Sequence, residues 1–193
     1  GILKLYDEGK IDLDRPVADY YPEWRKRFFH PSDKSDITLR ELYAHQSGLV
    51  PFIGFWKRTL QDGKLSAKWY RTEKDGGHTL YVAPNIWLKK RFTKTVNRQI
   101  RKTPLKSRGK YVYSDLPLVI TPKIVEKSAQ VNFVKYLDDN FYRPLGATTL
   151  TYKPLDKFQK ERIAPTELDN YYRFQQIQGS VHDESAAVMG GIS

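Results

Sequence analysis

Residues 37–49 read ITLRELYAHQSGL. Thr38 followed three positions later by Glu41 is a capping box, in which hydroxyl and carboxylate each take a backbone N–H that the first helical turn leaves unpartnered. Leu39, Leu42 and Tyr43 follow at helical spacing and Gly48 supplies a stop, so the pattern predicts a helix within residues 37–48. The stretch after it, LVPFIGFW at 49–56, is unusually apolar for a loop. It is read as packing over the core, the alternative being a cleft or surface where an apolar group docks.

A second stretch, KYVYSDLPLVI at 110–120, places two tyrosines, a serine and an aspartate before an apolar run. Locally this is a helix start: Ser114 or Asp115 caps the first turn, and Pro117 suits a position whose N–H would be unpaired anyway. Apolar residues at 116, 119, 120 and 124 continue the helical period, with Pro122 expected to kink the helix or confine it to one side. Val131, Val134, Leu137 and Phe141 form the stripe of a further helix closed by Pro144–Gly146, and Ile2–Glu8 reads as a helix end stopped by Gly9. Between them, residues 57–77 look polar and irregular. LYVAPNIWL at 80–88 suggests a short strand and turn, and 148–152 and 162–166 suggest short extended pieces. The last residues, GSVHDESAAVMGGIS, read as loop and short helix.

With 39% hydrophobic and 13% aromatic residues, the 193-residue chain is too apolar to stay disordered and long enough to bury a core. It has no cysteine, which excludes disulfides, thiolate metal sites and cysteine nucleophiles. No apolar run approaches the roughly 20 residues of a membrane-spanning helix. The net charge of +11 is concentrated between Lys89 and Lys110, where ten Lys or Arg occur without an acid. Such a run is either the solvated face of a helix or a track for an anionic polymer. Nucleic acid is disfavoured, because no aromatic-interleaved RNA-binding signature or zinc finger accompanies it.

Taken in order, the pieces resemble one family. EGKIDLDRPVADYYPEW is similar to the segment after the nucleophile helix of the serine β-lactamase and penicillin-binding-protein superfamily, in its class C β-lactamase, D-Ala-D-Ala carboxypeptidase and esterase branch. ITLRELYAHQSGL resembles that branch's "HTSGL" helix and loop, YSDL its Tyr-x-Asn motif, and NFYRPLGATTLTY the segment that follows. RIAPTELDNYY with the C-terminal GSVHDESAAVMGGIS is similar to members fused behind family 3 glycoside hydrolases. The resemblance implies a single partial domain over 1–193, with 57–106 a branch-specific insertion. It implies a mainly α fragment, the helical part of an α+β domain, with few short strands and most of the sheet outside. The Ser-x-x-Lys motif, holding nucleophile and lysine, is expected before Gly1, and the Lys/His-Thr-Gly motif after Ser193.

The chemistry implied is acyl transfer through a serine ester, on peptidoglycan-related amides, β-lactams or esters, without a cofactor or metal and in an extracytoplasmic setting. The chain alone is expected to be inactive. Tyr113 is the candidate acid/base, provided nearby cations lower its pKa from about 10. Asp115 stands where relatives carry Asn; a carboxylate accepts hydrogen bonds but donates none unless protonated, which fits a peptidase or esterase better than a classical β-lactamase. Tyr111 is read as a packing residue, and His30, His45, His78 and His182 as structural, having no metal-ligand spacing. Asp183 and Glu184 are read as an ion-paired loop. A non-catalytic relative binding cell-wall polymer or a partner is the alternative function.

Overall fold

The Thr38 hydroxyl accepts the Glu41 N–H at 3.1 Å and the Glu41 carboxylate accepts the Thr38 N–H at 2.8 Å, completing the capping box. A computed structural model describes residues 1–26 and 32–181. His30, His182, Asp183, Glu184 and the C-terminal stretch beyond Val181 therefore lie outside the described residues.

The helices are α1 (Ile2–Asp7), α2 (Val17–Tyr20), α3 (Leu39–Tyr43), α4 (Phe92–Lys102), α5 (Leu116–Ala129) and α6 (Phe133–Leu137). The strands are β1 (Leu60–Gln61), β2 (Lys64–Leu65), β3 (Tyr70–Arg71), β4 (His78–Ala83), β5 (Ile86–Lys89), β6 (Pro165–Asp169) and β7 (Gln175–Gln178). Among the described residues all pair antiparallel, in three small sheets ordered β1-β2, β3-β5-β4 and β6-β7. Helix accounts for 36% and strand for 15% of the described residues, so the chain is α+β. This corrects the expectation of a mainly α fragment with few short strands.

The correction has a local cause. Asp62 and Gly63 both take positive φ (50° and 73°), the two-residue turn whose twist suits a hairpin, and they join β1 to β2. Asn85 (φ 59°) turns β4 into β5. A segment read as polar and irregular is thus folded by its turns.

Contacts group the chain into two units, residues 1–53 with 97–148, and residues 54–96 with the described residues from 149 on. In the first, α5 packs against α1, α2 and α6. Leu5, Val17, Tyr21, Trp24, Ile37, Leu39, Leu42, Leu116, Ile120 and Ile124 are buried there. α3 is shorter than predicted, ending at Tyr43 because His45 adopts a left-handed conformation (φ 55°) well before Gly48. α5 runs through Pro122, whose missing N–H deprives the carbonyl of Leu118, a residue on the exposed side where water can serve it. α6 passes into a wider turn at Asp138–Tyr142. The Lys34 ammonium, wholly buried, donates to the carbonyls of Arg101 (3.3 Å) and Thr103 (2.6 Å) and to Asp33 (2.7 Å), closing the C-terminus of α4.

In the second unit, Tyr70, Val82, Leu88, Phe92, Tyr172 and Ile177 are buried. The Thr59, Tyr70 and Tyr172 hydroxyls bond to one another, and Arg173 pairs with Asp169 at 2.6 Å without exposure. Burial of that ion pair leaves neither charge unpaired, the condition under which it is tolerated.

Candidate active site

Residues 106–115 form a strap laid along residues 45–51. The Lys106 N–H donates to Gly48 O (2.6 Å), Gly109 N–H to Gln46 O (2.8 Å), Val112 N–H to His45 O (2.9 Å) and Asp115 N–H to Pro51 O (2.9 Å). The approach is close enough to demand glycine. A Cβ on Gly48 would lie 2.6 Å from the Lys106 carbonyl oxygen, and its φ of +77° is one that side-chain-bearing residues rarely adopt. Arg108 fixes the base of the strap, its guanidinium forking onto both oxygens of Glu41 (3.0 and 2.9 Å) and reaching Asp36 (3.0 Å). Those contacts raise the Arg108 pKa and lower those of Asp36 and Glu41, by hydrogen bonding first.

This strap delivers Tyr113, Ser114 and Asp115 to the start of α5. Ser114 is buried; its hydroxyl donates to Val50 O (2.7 Å) and accepts the Leu116 N–H (3.2 Å), while its own N–H reaches His45 Nδ1 (3.3 Å). Ser114 therefore serves the first turn and is not available as a nucleophile. Asp115 occupies the N-cap position without capping through its side chain. Tyr113 is 53% exposed, its ring 4.7 Å from that of His45, and Tyr111 sets its edge to the same imidazole at 5.8 Å. Tyr111 is itself 68% exposed, more a surface residue than a packed one.

The two sequence candidates meet: a hydrogen bond to Asp115, and after it that residue's charge, raise the Tyr113 pKa. The carboxylate accepts the phenolic proton and repels the phenolate, so Tyr113 is held as a proton donor. No cation among the described residues acts on it in the opposite sense. In this chain Tyr113 is expected to titrate above 10, and Asp115→Asn to bring it back towards that value, as read by ring-carbon NMR of labelled tyrosine. An unchanged midpoint in the variant would mean the two groups do not touch.

Ser107-Arg108-Gly109-Lys110 has the Ser-x-x-Lys spacing, which the motif reading passed over. It is a turn: Ser107 (φ 50°) and Gly109 (φ 84°) are left-handed, and Lys110 N–H returns to Ser107 O at 3.0 Å. The motif needs a helix to put serine and lysine one turn apart on a face, so this match carries no chemistry. His78 is buried with Nδ1 2.9 Å from Asp75, whose pKa falls to about 2 through hydrogen bonds from the His78 and Gly77 backbone. Among the described residues no three His, Cys, Asp or Glu gather as a metal site. A groove of about 470 Å³ is lined by Tyr20–Glu23, Lys123 and Lys127, and Tyr113 is not part of it.

Residues 1–180 match the sequence profile of the Beta-lactamase family. The chain belongs to that family. Over its full length it is 30% identical to a protein of Escherichia coli (strain K12) provisionally named a D-alanyl-D-alanine carboxypeptidase. It is 29% identical to an N-acetylmuramyl-L-alanine amidase of Bacillus subtilis (strain 168). The chain spans 42% of the length of each of these relatives. Among solved structures, the octameric penicillin-binding protein homologue from Pyrococcus abyssi superposes with a TM-score of 0.55 at 21% identity, over 94% of this chain and 37% of that one. The β-lactamase fold is therefore shared in its α+β form, and no described helix is long and apolar enough to cross a membrane.

Proposed function

We propose that the protein carrying this β-lactamase-family chain is a serine hydrolase of the cell envelope, acting outside the cytoplasm on peptidoglycan-related amides, β-lactams or esters. The observation that carries the reading is the mounting of Tyr113: half-exposed, with the residues on both sides tied by backbone hydrogen bonds to the 45–51 loop. A proton-transfer group must be held within hydrogen-bond reach of the reacting oxygen, and a strap ending on a helix start does so reproducibly.

In the first half-reaction the serine Oγ bonds to the carbonyl carbon and gives up its proton, the C–N or C–O bond breaks, and the leaving group takes a proton. Water then attacks the ester, regenerating the hydroxyl. Tyr113 supplies the proton to the leaving group in the state Asp115 favours. To take the serine proton it needs a cation beside its oxygen, the role the family resemblance gives to the lysine of Ser-x-x-Lys. Asp115 restrains the base role and supports the acid role.

That restraint also favours a second reading, a relative that has lost catalysis and binds envelope polymer. Fluorescent penicillin and a chromogenic ester separate the two. A protein containing this chain and a Ser-x-x-Lys motif is expected to become covalently labelled and to turn over ester, whereas the 193-residue chain alone is expected to do neither. Absence of both signals from the longer protein leaves the binding reading; labelling of the isolated chain would overturn the assignment of the nucleophile.

A further inference from the structure

The cations along one face of α4 make no ion pair among the described residues. Arg91, immediately before the helix, and Lys94, Arg98 and Lys102 within it fall on one face at 3.6 residues per turn, and all four are exposed. Phe92, Val96 and Ile100 occupy the opposite face and are buried. Arg15, Arg40, Arg108, Arg143 and Arg173 each sit in an ion pair. Arg91, Lys94, Arg98 and Lys102 have no acidic partner among the described residues, and residues 76–114 contain no Asp or Glu at all.

Two features destabilise this row unless something anionic lies on it. Lys94, Arg98 and Lys102 repeat at i, i+4, where like charges repel. Arg91 and Lys94 stand at the positive end of the helix dipole, with no acid in the first turn to offset them. At the other end, where cations are welcome, the carbonyls of Arg101 and Thr103 are already taken by the buried Lys34, so Lys102 is not needed as a cap.

We propose that this face of α4 binds a linear phosphodiester or polyphosphate polymer lacking bases. The row is one helix wide and about 16 Å long at 1.5 Å per residue, the shape of a strand and not of a bilayer plane. The one aromatic residue of α4, Phe92, is buried, so the helix offers no ring on which a base would stack, which sets it apart from single-stranded nucleic-acid tracks. Its apolar residues are buried, so it has no face to insert into lipid. The proposal does not depend on the hydrolase reading.

The test uses the whole chain with three probes: long-chain inorganic polyphosphate, an oligothymidylate of matched charge, and phosphatidylglycerol vesicles. Polyphosphate is expected to bind with log K falling against log salt at a slope of about −3, some −0.7 per contact. The triple variant Lys94→Gln, Arg98→Gln, Lys102→Gln is expected to make that slope shallower by about 2. Glutamine is nearly as good a helix former and the positions are exposed, so circular dichroism of the variant should match the parent. An unchanged slope in the variant overturns the proposal; so does tighter binding of oligothymidylate than of polyphosphate, or binding to vesicles alone.

Discussion

Replacing Tyr113 by Phe, in a protein that joins this chain to a Ser-x-x-Lys motif, is expected to slow acyl-enzyme formation about 100-fold or more, the usual contribution of a positioned acid or base. Stability should hardly move. The substitution removes one oxygen from a side chain that is 53% exposed, and it keeps the ring that faces His45 at 4.7 Å. The strap is held by backbone groups and Ser114, none of which is altered. Asp115→Asn should be milder: it frees the phenol from the carboxylate that raises its pKa and restores an amide donor to the position. Rapid-quench labelling gives the rate and a thermal melt gives the stability. A large fall in melting temperature, with undiminished specific activity in the folded remainder, would make Tyr113 a packing residue.

Gly48→Ala is expected to be the most damaging substitution of a glycine in the described chain, because the other close approach, Gly179 at 2.7 Å, faces the Leu155 side chain and not backbone. Two penalties add. A left-handed φ costs a non-glycine residue about 1–2 kcal/mol, and the new Cβ would meet the Lys106 carbonyl oxygen at 2.6 Å, so backbone must move. We expect a loss of about 3 kcal/mol or more, lowering the melting temperature by roughly 6–12 °C for a chain of this size. Gly63→Ala is the control, because Gly63 has nearly the same φ (+73°) but open space where its Cβ would go. It should lose only about 1–2 kcal/mol. Equal losses at the two sites would show that φ alone decides and that the close approach of strap and loop carries no weight.

Signals confined to a few adjacent residues were legible in the sequence. Thr38 and Glu41 lie three apart and satisfy each other's termini, so the start of α3 followed from spacing. The start of α5 followed likewise, although the residue that serves its first turn is Ser114, with Asp115 turned to Tyr113. The hairpins escaped because β1, β2 and β3 are two residues long, too short for alternation to register. Asp62-Gly63, a strong hairpin turn, was the available sign. The end of α3 was misplaced because His45 occupies a left-handed conformation that sequence assigns more readily to Gly48. The electrostatics of Tyr113 were foreseen only as a requirement for cations. That the group acting most on it is the carboxylate two residues on depends on where a side chain turns, which spacing does not encode.

The 2.6 Å bond from Lys106 N–H to Gly48 O makes residues 49–105 an excursion that leaves and re-enters the chain at one pinned neck. The entropy of closing such a loop grows only with the logarithm of its length, about 0.6 kcal/mol for each doubling. Lengthening or trimming the excursion would thus change the closure cost by a fraction of what the neck contributes. The bonds from Gly109 to Gln46 and from Val112 to His45 lie outside the excursion, so the Tyr113 segment would keep its register on residues 45–48 throughout. The neck thus makes the mounting of Tyr113 insensitive to changes of length inside the excursion.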